Sequence, residues 1–166
     1  VKARAQYAEA TTESERAKDL IKRVVKARKE YKGSGNPTFW TTEDVLTEML
    51  LLEDTTGRKL YNSIADLATA MRVSKIVTVP VMEGMKHKVK DEALGDTKEE
   101  DYFLDGILVN PIDYTIGTDA GGQVTMFDDF DIDYNQQKYL IETRISGALT
   151  KPYSAISFEH RVATAG

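Results

Sequence analysis

The 166-residue chain has no cysteine. That excludes disulfides, thiolate zinc sites and thiol nucleophiles. It also lacks a long apolar run. The longest, around Met49 to Leu52, falls far short of the ~20 residues of a membrane-spanning helix. No N-terminal stretch follows the basic, apolar, small-residue order of a signal peptide. Internal repeats and low-complexity tracts are missing. Serines are scattered, and none sits in a Gly-x-Ser-x-Gly elbow. The glycines at 117, 121 and 122 lack the lysine and the following helix of a phosphate loop. What is present is ordinary for a globular protein: 41% hydrophobic and 30% charged residues, which excludes collagen, a disordered tail and a membrane protein. An intracellular or virion protein without a cofactor is expected, and not an enzyme of a common class.

Charge is unevenly spread. Residues 1–35 carry ten basic and five acidic side chains, whereas the remainder carries 12 and 22. A +5 segment is therefore joined to a −10 body. Such asymmetry fits an arm that binds nucleic acid. It fits equally a subunit whose complementary faces pack against copies of itself.

The first segment reads as one long helix. Ala17, Leu20, Ile21, Val24, Val25 and Tyr31 make a single apolar stripe at three-four spacing. Thr12 and Glu15 have capping-box spacing, and Gly33 to Pro37 ends the helix. About 19 residues would give a rod on the order of 30 Å long, which needs something to lie on. Thr38 to Trp40 then reads as a short strand, Thr41 with Asp44 as the start of a second helix, and Gly57 as a turn. Ser63 with Asp66 opens a third helix, and Ile76 to Val79 is a strand closed by Pro80. The polar stretch from Glu83 to Asp101 is expected to be an exposed or mobile loop. Phe103 to Val109 is a core strand. Gly121-Gly122 signals a hairpin before a strand from Val124 to Phe127. Strands at Tyr139–Ile145 and Ala155–Phe158 flank a turn at Lys151-Pro152. Helices early and strands late make the class α+β.

Four acidic residues, Asp128, Asp129, Asp131 and Asp133, lie close together. Asp129-x-Asp131-x-Asp133 copies the first three ligand positions of a calcium loop, but Tyr134 stands where glycine is required and Leu140 where the bidentate glutamate belongs. A solvated or subunit-facing acidic edge is the simpler reading, with no metal. His87 lies in the polar loop, where it is expected to be solvated, and His160 in a C-terminal tail after the last strand. Lys18, Lys22, Lys26 and Lys29 line one flank of the first helix. Gripping DNA would need several of them to face phosphates together. With Glu15 and Asp19 close enough to pair locally and an acidic remainder, a charged rod that pairs with acidic surfaces of its own kind is favoured. The expected intersubunit contacts are Lys22, Lys26, Lys29, Asp128, Asp129 and Asp131.

From Thr38 onward the order of features resembles the major capsid proteins of tailed double-stranded DNA phages, the Hong Kong 97 fold. Three pieces carry the resemblance. They are Asn36-Pro37-Thr38-Phe39-Trp40 leading to Thr41 through Met49; Ile107-Leu108-Val109-Asn110-Pro111 with Asp113-Tyr114; and the run from Tyr139 through Glu142, Arg144, Lys151 and Pro152 to Ile156. The resemblance covers most of the chain. It implies a spine helix at 1–35 and returning strands at 124–166 in a peripheral domain, with an axial domain at 36–123. The spine would pack on the returning strands.

The resemblance further implies a homo-oligomer, with hexamers and pentamers in an icosahedral shell built in the host cytoplasm. The virion shell would enclose double-stranded DNA without reading its sequence. Scaffold, portal or decoration proteins are possible partners, and a membrane is not. Some relatives join a lysine of one subunit to an asparagine of another with help from a glutamate, and the matching positions here are Asn135 and Glu142. The lysine belongs to a loop that precedes the spine helix in the family, so this chain reads as a C-terminal portion of a longer protein. Two other readings stay open. One is an encapsulin-type shell around a cargo enzyme. The other is a DNA-binding α+β domain using the basic helix.

Overall fold

The computed structural model describes residues 1–90, 99–118 and 125–162. It is an α+β protein with three α-helices and ten strands among the described residues. Packing divides the chain into two units, Val1–Asp113 with Lys151–Gly166, and Tyr114–Thr150. These boundaries differ from the expected ones at 35 and 123. The reason is that the first helix, the segment up to Asp113 and the last strand share one core.

The first unit is a six-stranded sheet backed by helices. Strands β1 (Lys2–Tyr7), β2 (Thr38–Thr41), β3 (Ile76–Thr78), β4 (Lys86–Lys90), β5 (Glu99–Val109) and β10 (Ala155–Val162) run in the order β1-β10-β5-β2-β3, with β4 also on β5. β1 is parallel to β10 and β3 to β2, while the pairs made by β5 are antiparallel. Register places one apolar row across four strands: Ile76 opposite Phe39, Phe39 opposite Leu108, and Leu108 opposite Ile156. Direct partners share a face of the sheet. This row joins Phe158 and the buried sides of helices α1 (Glu13–Ala27), α2 (Glu43–Leu50) and α3 (Ile64–Met71) in one cluster. Phe39 and Phe158 meet edge to face at 5.9 Å, the favourable arrangement for two aromatic quadrupoles.

Helix α1 begins as expected. The Glu15 amide donates to Thr12 Oγ1, and Glu15 Oε2 accepts the Thr12 amide at 3.0 Å. The helix is shorter than the expected rod, 15 residues or about 22 Å. Past Ala27 the chain tightens into turns, with the amides of Glu30 and Tyr31 donating to Ala27 and Arg28. Its stripe of Ala17, Leu20, Ile21, Val24 and Ala27 is buried against α2, α3 and β10. Helix α2 is capped by Thr42, whose Oγ1 accepts from the Val45 amide, and not by Thr41. Thr41 closes β2 instead, and its hydroxyl donates to the Asp105 carbonyl at 2.7 Å. Ser63 caps α3 through the Asp66 amide as expected.

The expected loop over Glu83–Asp101 is corrected in its described parts. Lys86–Lys90 and the start of β5 form an antiparallel pair, with Lys88 opposite Asp101 and a Lys86–Asp101 ion pair at 2.8 Å. Opposite charges across a ladder hold a strand whose composition is otherwise polar. Residues 91–98 lie outside the described ones. β10 extends to Val162, so His160 belongs to a strand and not to a tail.

The second unit consists of two separate antiparallel ribbons. β6 (Tyr114–Thr118) pairs with β9 (Ile145–Leu149), and β7 (Thr125–Asp131) with β8 (Gln136–Glu142). The strand expected over Tyr139–Ile145 is therefore split at Thr143-Arg144, where the chain leaves one ribbon for the other. The Gly121-Gly122 signal and Val124 lie outside the described residues.

Candidate functional site

Charge is concentrated inside the first unit. Arg23 of α1 points into the seam between the helix and the sheet, and all five of its guanidinium N–H donors are used. Nε reaches Asp19 at 2.9 Å. Nη1 bonds the carbonyls of Ala3 and Glu159 at 3.2 and 3.3 Å. Nη2 bonds the Tyr7 hydroxyl and Asp105 Oδ2 at 2.9 and 3.1 Å. One side chain thus ties α1, β1, β5 and β10 together. Tyr7 in turn donates to Asp19 at 2.7 Å. Its burial, followed by the Asp19 bond, pushes its pKa up to about 12.

Asp105 is 5% exposed and also accepts His160 Nδ1 at 2.5 Å, with the imidazole set between the rings of Tyr7 and Phe103. His160, expected in a tail, is thus held against β5 from within β10. Among the described residues no serine or threonine hydroxyl hydrogen-bonds to that ring. A second charged group gathers around Glu159, which is 3% exposed. Arg4 Nε lies 3.2 Å from it, His87 Nε2 3.5 Å and Lys2 Nζ 3.7 Å. His87 is therefore engaged as well. No group of three His, Cys, Asp or Glu among the described residues could hold a metal ion. No described helix is long and apolar enough to cross a membrane.

Of the residues singled out from sequence, Lys18, Lys22, Lys26 and Lys29 are all exposed along α1 and just beyond it. None has an ion-pair partner among the described residues. Arg23, on the same helix, is instead the largely shielded clamp, and Glu15 is taken by the cap. Asp128, Asp129 and Asp131 lie on β7 in the second unit. Asp131 is held by Lys138 of β8 and accepts the Asp133 amide, which turns the hairpin. Asn135 completes that turn at φ 51°, a left-handed position that asparagine tolerates. Glu142 stands at the far end of β8, paired with Arg144 at 3.0 Å. Seven residues of extended chain separate Asn135 from Glu142 by about 23 Å, so one copy does not bring the two together.

The apolar faces of the ribbons were not anticipated. In the β7–β8 pair, Met126 lies opposite Ile141 and Asp128 opposite Tyr139, with Phe130 on that same face. Phe127 lies opposite Leu140 on the other. Phe130 is 50% exposed and Ile141 67%. Ile116 and Ile145 of the β6–β9 pair are exposed too. A lone two-stranded ribbon is marginal in water, and here it carries apolar side chains on both faces. The signal was in the sequence as Met126-Phe127 and Phe130 set among aspartates, but the acidic residues drew the reading toward charge.

A small cavity of about 150 Å³ opens where α1, α2 and the sheet meet, lined by Tyr7, Ala17, Leu20 and Val45 with Asp105 and His160. Glu13, Arg16, Asp44 and Glu48 also line it. Sequence comparison adds no relative: no family model and no curated protein matches the chain.

Proposed function

We propose that the chain is a structural subunit of an icosahedral phage head with the Hong Kong 97 fold, assembling with copies of itself into capsomers that enclose the DNA genome. The observation that carries the reading is the β7–β8 ribbon, which exposes Met126, Phe130, Tyr139 and Ile141 on one face and Phe127 and Leu140 on the other. Apolar patches of this kind mark interaction surfaces, and an element with two apolar faces is suited to lie between neighbours. The unpaired lysine row on α1 supports it as well, because complementary charge sets the geometry of repeated contacts. The sequence resemblance supplies the particular architecture. Heterologous contacts of one kind close into rings when the rotation permits. Any Asn135 cross-link would take its glutamate from another copy, since Glu142 of the same chain is too distant.

The test is electron microscopy and sedimentation of the gene's full product expressed alone. Rings or closed shells are expected, and a uniform monomer at high concentration would overturn the reading. Replacing Phe130 and Ile141 by serine should abolish association while the melting temperature of the first unit stays within a few degrees, since both side chains are already in water.

A further inference from the structure

The cavity between α1 and α2 combines an apolar interior with unanswered negative charge. Ala17, Leu20 and Val45 line it, and Glu13, Asp44 and Glu48 lie around it. None of these three carboxylates has a hydrogen-bond or ion-pair partner among the described residues. Arg16 also lines the cavity, and its Nε is buried with no acceptor. The volume, about 150 Å³, is small beside the roughly 300–1,000 Å³ of drug-sized ligand sites. It suits one long side chain with an apolar stem and a cationic head, the amphipathic form of lysine.

The chain displays such groups elsewhere. Lys18, Lys22 and Lys26 follow one another at four-residue intervals on α1, with Lys29 just past its end, all exposed and unpaired. At 100° per residue this row lies on the side of the helix opposite Leu20 and Val24, so it faces away from the core that the cavity borders. The row and the acidic cavity of one copy are therefore different surfaces, and they complement each other only between copies.

We infer that the cavity between α1 and α2 is the acceptor for a lysine from the α1 row of a second copy, in a head-to-tail contact. The lysine stem lies along Ala17, Leu20 and Val45, and its ammonium sits among Glu13, Asp44 and Glu48. This deepens the shell-subunit reading and rests on it: it names which surface answers the lysines, and it differs from the earlier expectation that Asp128, Asp129 and Asp131 do so. A contact between two different surfaces propagates around a ring, as a two-fold contact cannot.

Charge reversal tests it on the full chain, with association followed by sedimentation at low and high salt. Lys22→Glu with Lys26→Glu makes both surfaces acidic, and Asp44→Lys with Glu48→Lys makes both basic. Each pair should weaken association by about tenfold or more. An equimolar mixture of the two variants should recover it, and so should the chain carrying all four changes. A folding defect would not be recovered by mixing, which separates it from a lost contact. Wild-type association that neither pair disturbs, or pairs that keep the wild-type melting temperature yet weaken it without recovery in the mixture, would overturn the inference while leaving the shell reading intact. A wild-type chain that stays monomeric at every concentration would remove both.

Discussion

Arg23 and Asp105, 82 residues apart in sequence, meet at 3.1 Å in the seam between helix α1 and strand β5. Both are largely shielded, with side chains 14% and 7% exposed. Burying a charge pair is costly in itself and is repaid only when every donor and acceptor is met. Arg23 meets that condition through Asp19, Tyr7 and two carbonyls as well as Asp105.

Removing the guanidinium should therefore be severe. Arg23→Met takes one donor from Asp105, which keeps His160, and one from each of two main-chain carbonyls, and roughly 3–5 kcal/mol of unfolding free energy should be lost. Urea unfolding measures it. Arg23→Lys keeps the charge but cannot reach four elements with one compact ammonium, so it should recover only part of the loss. A double change to Met at 23 and Asn at 105 should cost less than the sum of the singles.

Gly106 should not accept a side chain. A Cβ there would fall 2.5 Å from Phe39 Cζ and 2.8 Å from the Trp40 carbonyl oxygen. Phe39 is fully buried in the core row. Gly106→Ala should therefore cost about 1–3 kcal/mol by overpacking. Adding Phe39→Leu should relieve part of the penalty, because it removes the ring but leaves the carbonyl contact. Thermal denaturation of Gly106→Ala, Phe39→Leu and the double variant checks this.

Acid should loosen the loop after α1. Asp113 accepts the Ser34 amide at 2.6 Å and lies 3.5 Å from Lys151 Nζ. The Ser34 hydroxyl and amide, followed by Lys151, hold its carboxyl below the ordinary range. A depressed folded-state pKa means that the contribution is present above the unfolded value of about 3.9 and is lost as pH falls through the lower folded value. Asp113→Asn should thus melt at a lower temperature than wild type at pH 6. The gap should close as pH falls through the lowered folded-state value. A gap that stays constant with pH would show that the carboxylate charge plays no part.

The sequence made some elements plain and concealed others for identifiable reasons. Thr12 with Glu15 and Ser63 with Asp66 announce two helices because caps act within a few residues of chain. Thr41 misled because it adjoins the true cap, Thr42, and the choice between them is made by the Asp105 carbonyl. β1 was invisible: Lys2, Arg4 and Gln6 alternate with Ala3, Ala5 and Tyr7, and the strand forms only by parallel pairing with β10 at the other end of the chain. β4 looked like a loop because its lysines find their acidic partner only across the ladder. The lysine row on α1 was legible, as helical spacing is a local property. The acidic cavity was not, since Glu13 comes from α1 and Asp44 and Glu48 from α2, and no single stretch of sequence shows them side by side.

The two-faced β7–β8 ribbon also has a thermal consequence. In the proposed shell this apolar surface would leave water as a neighbour arrives, so the driving force for union would carry the signature of apolar hydration, with little enthalpy near room temperature and a large heat-capacity change. Such contacts weaken on cooling. Particles held mainly by these ribbons should shed subunits in the cold and regain them on warming, while each subunit, secured by the Arg23 clamp, keeps its own fold throughout.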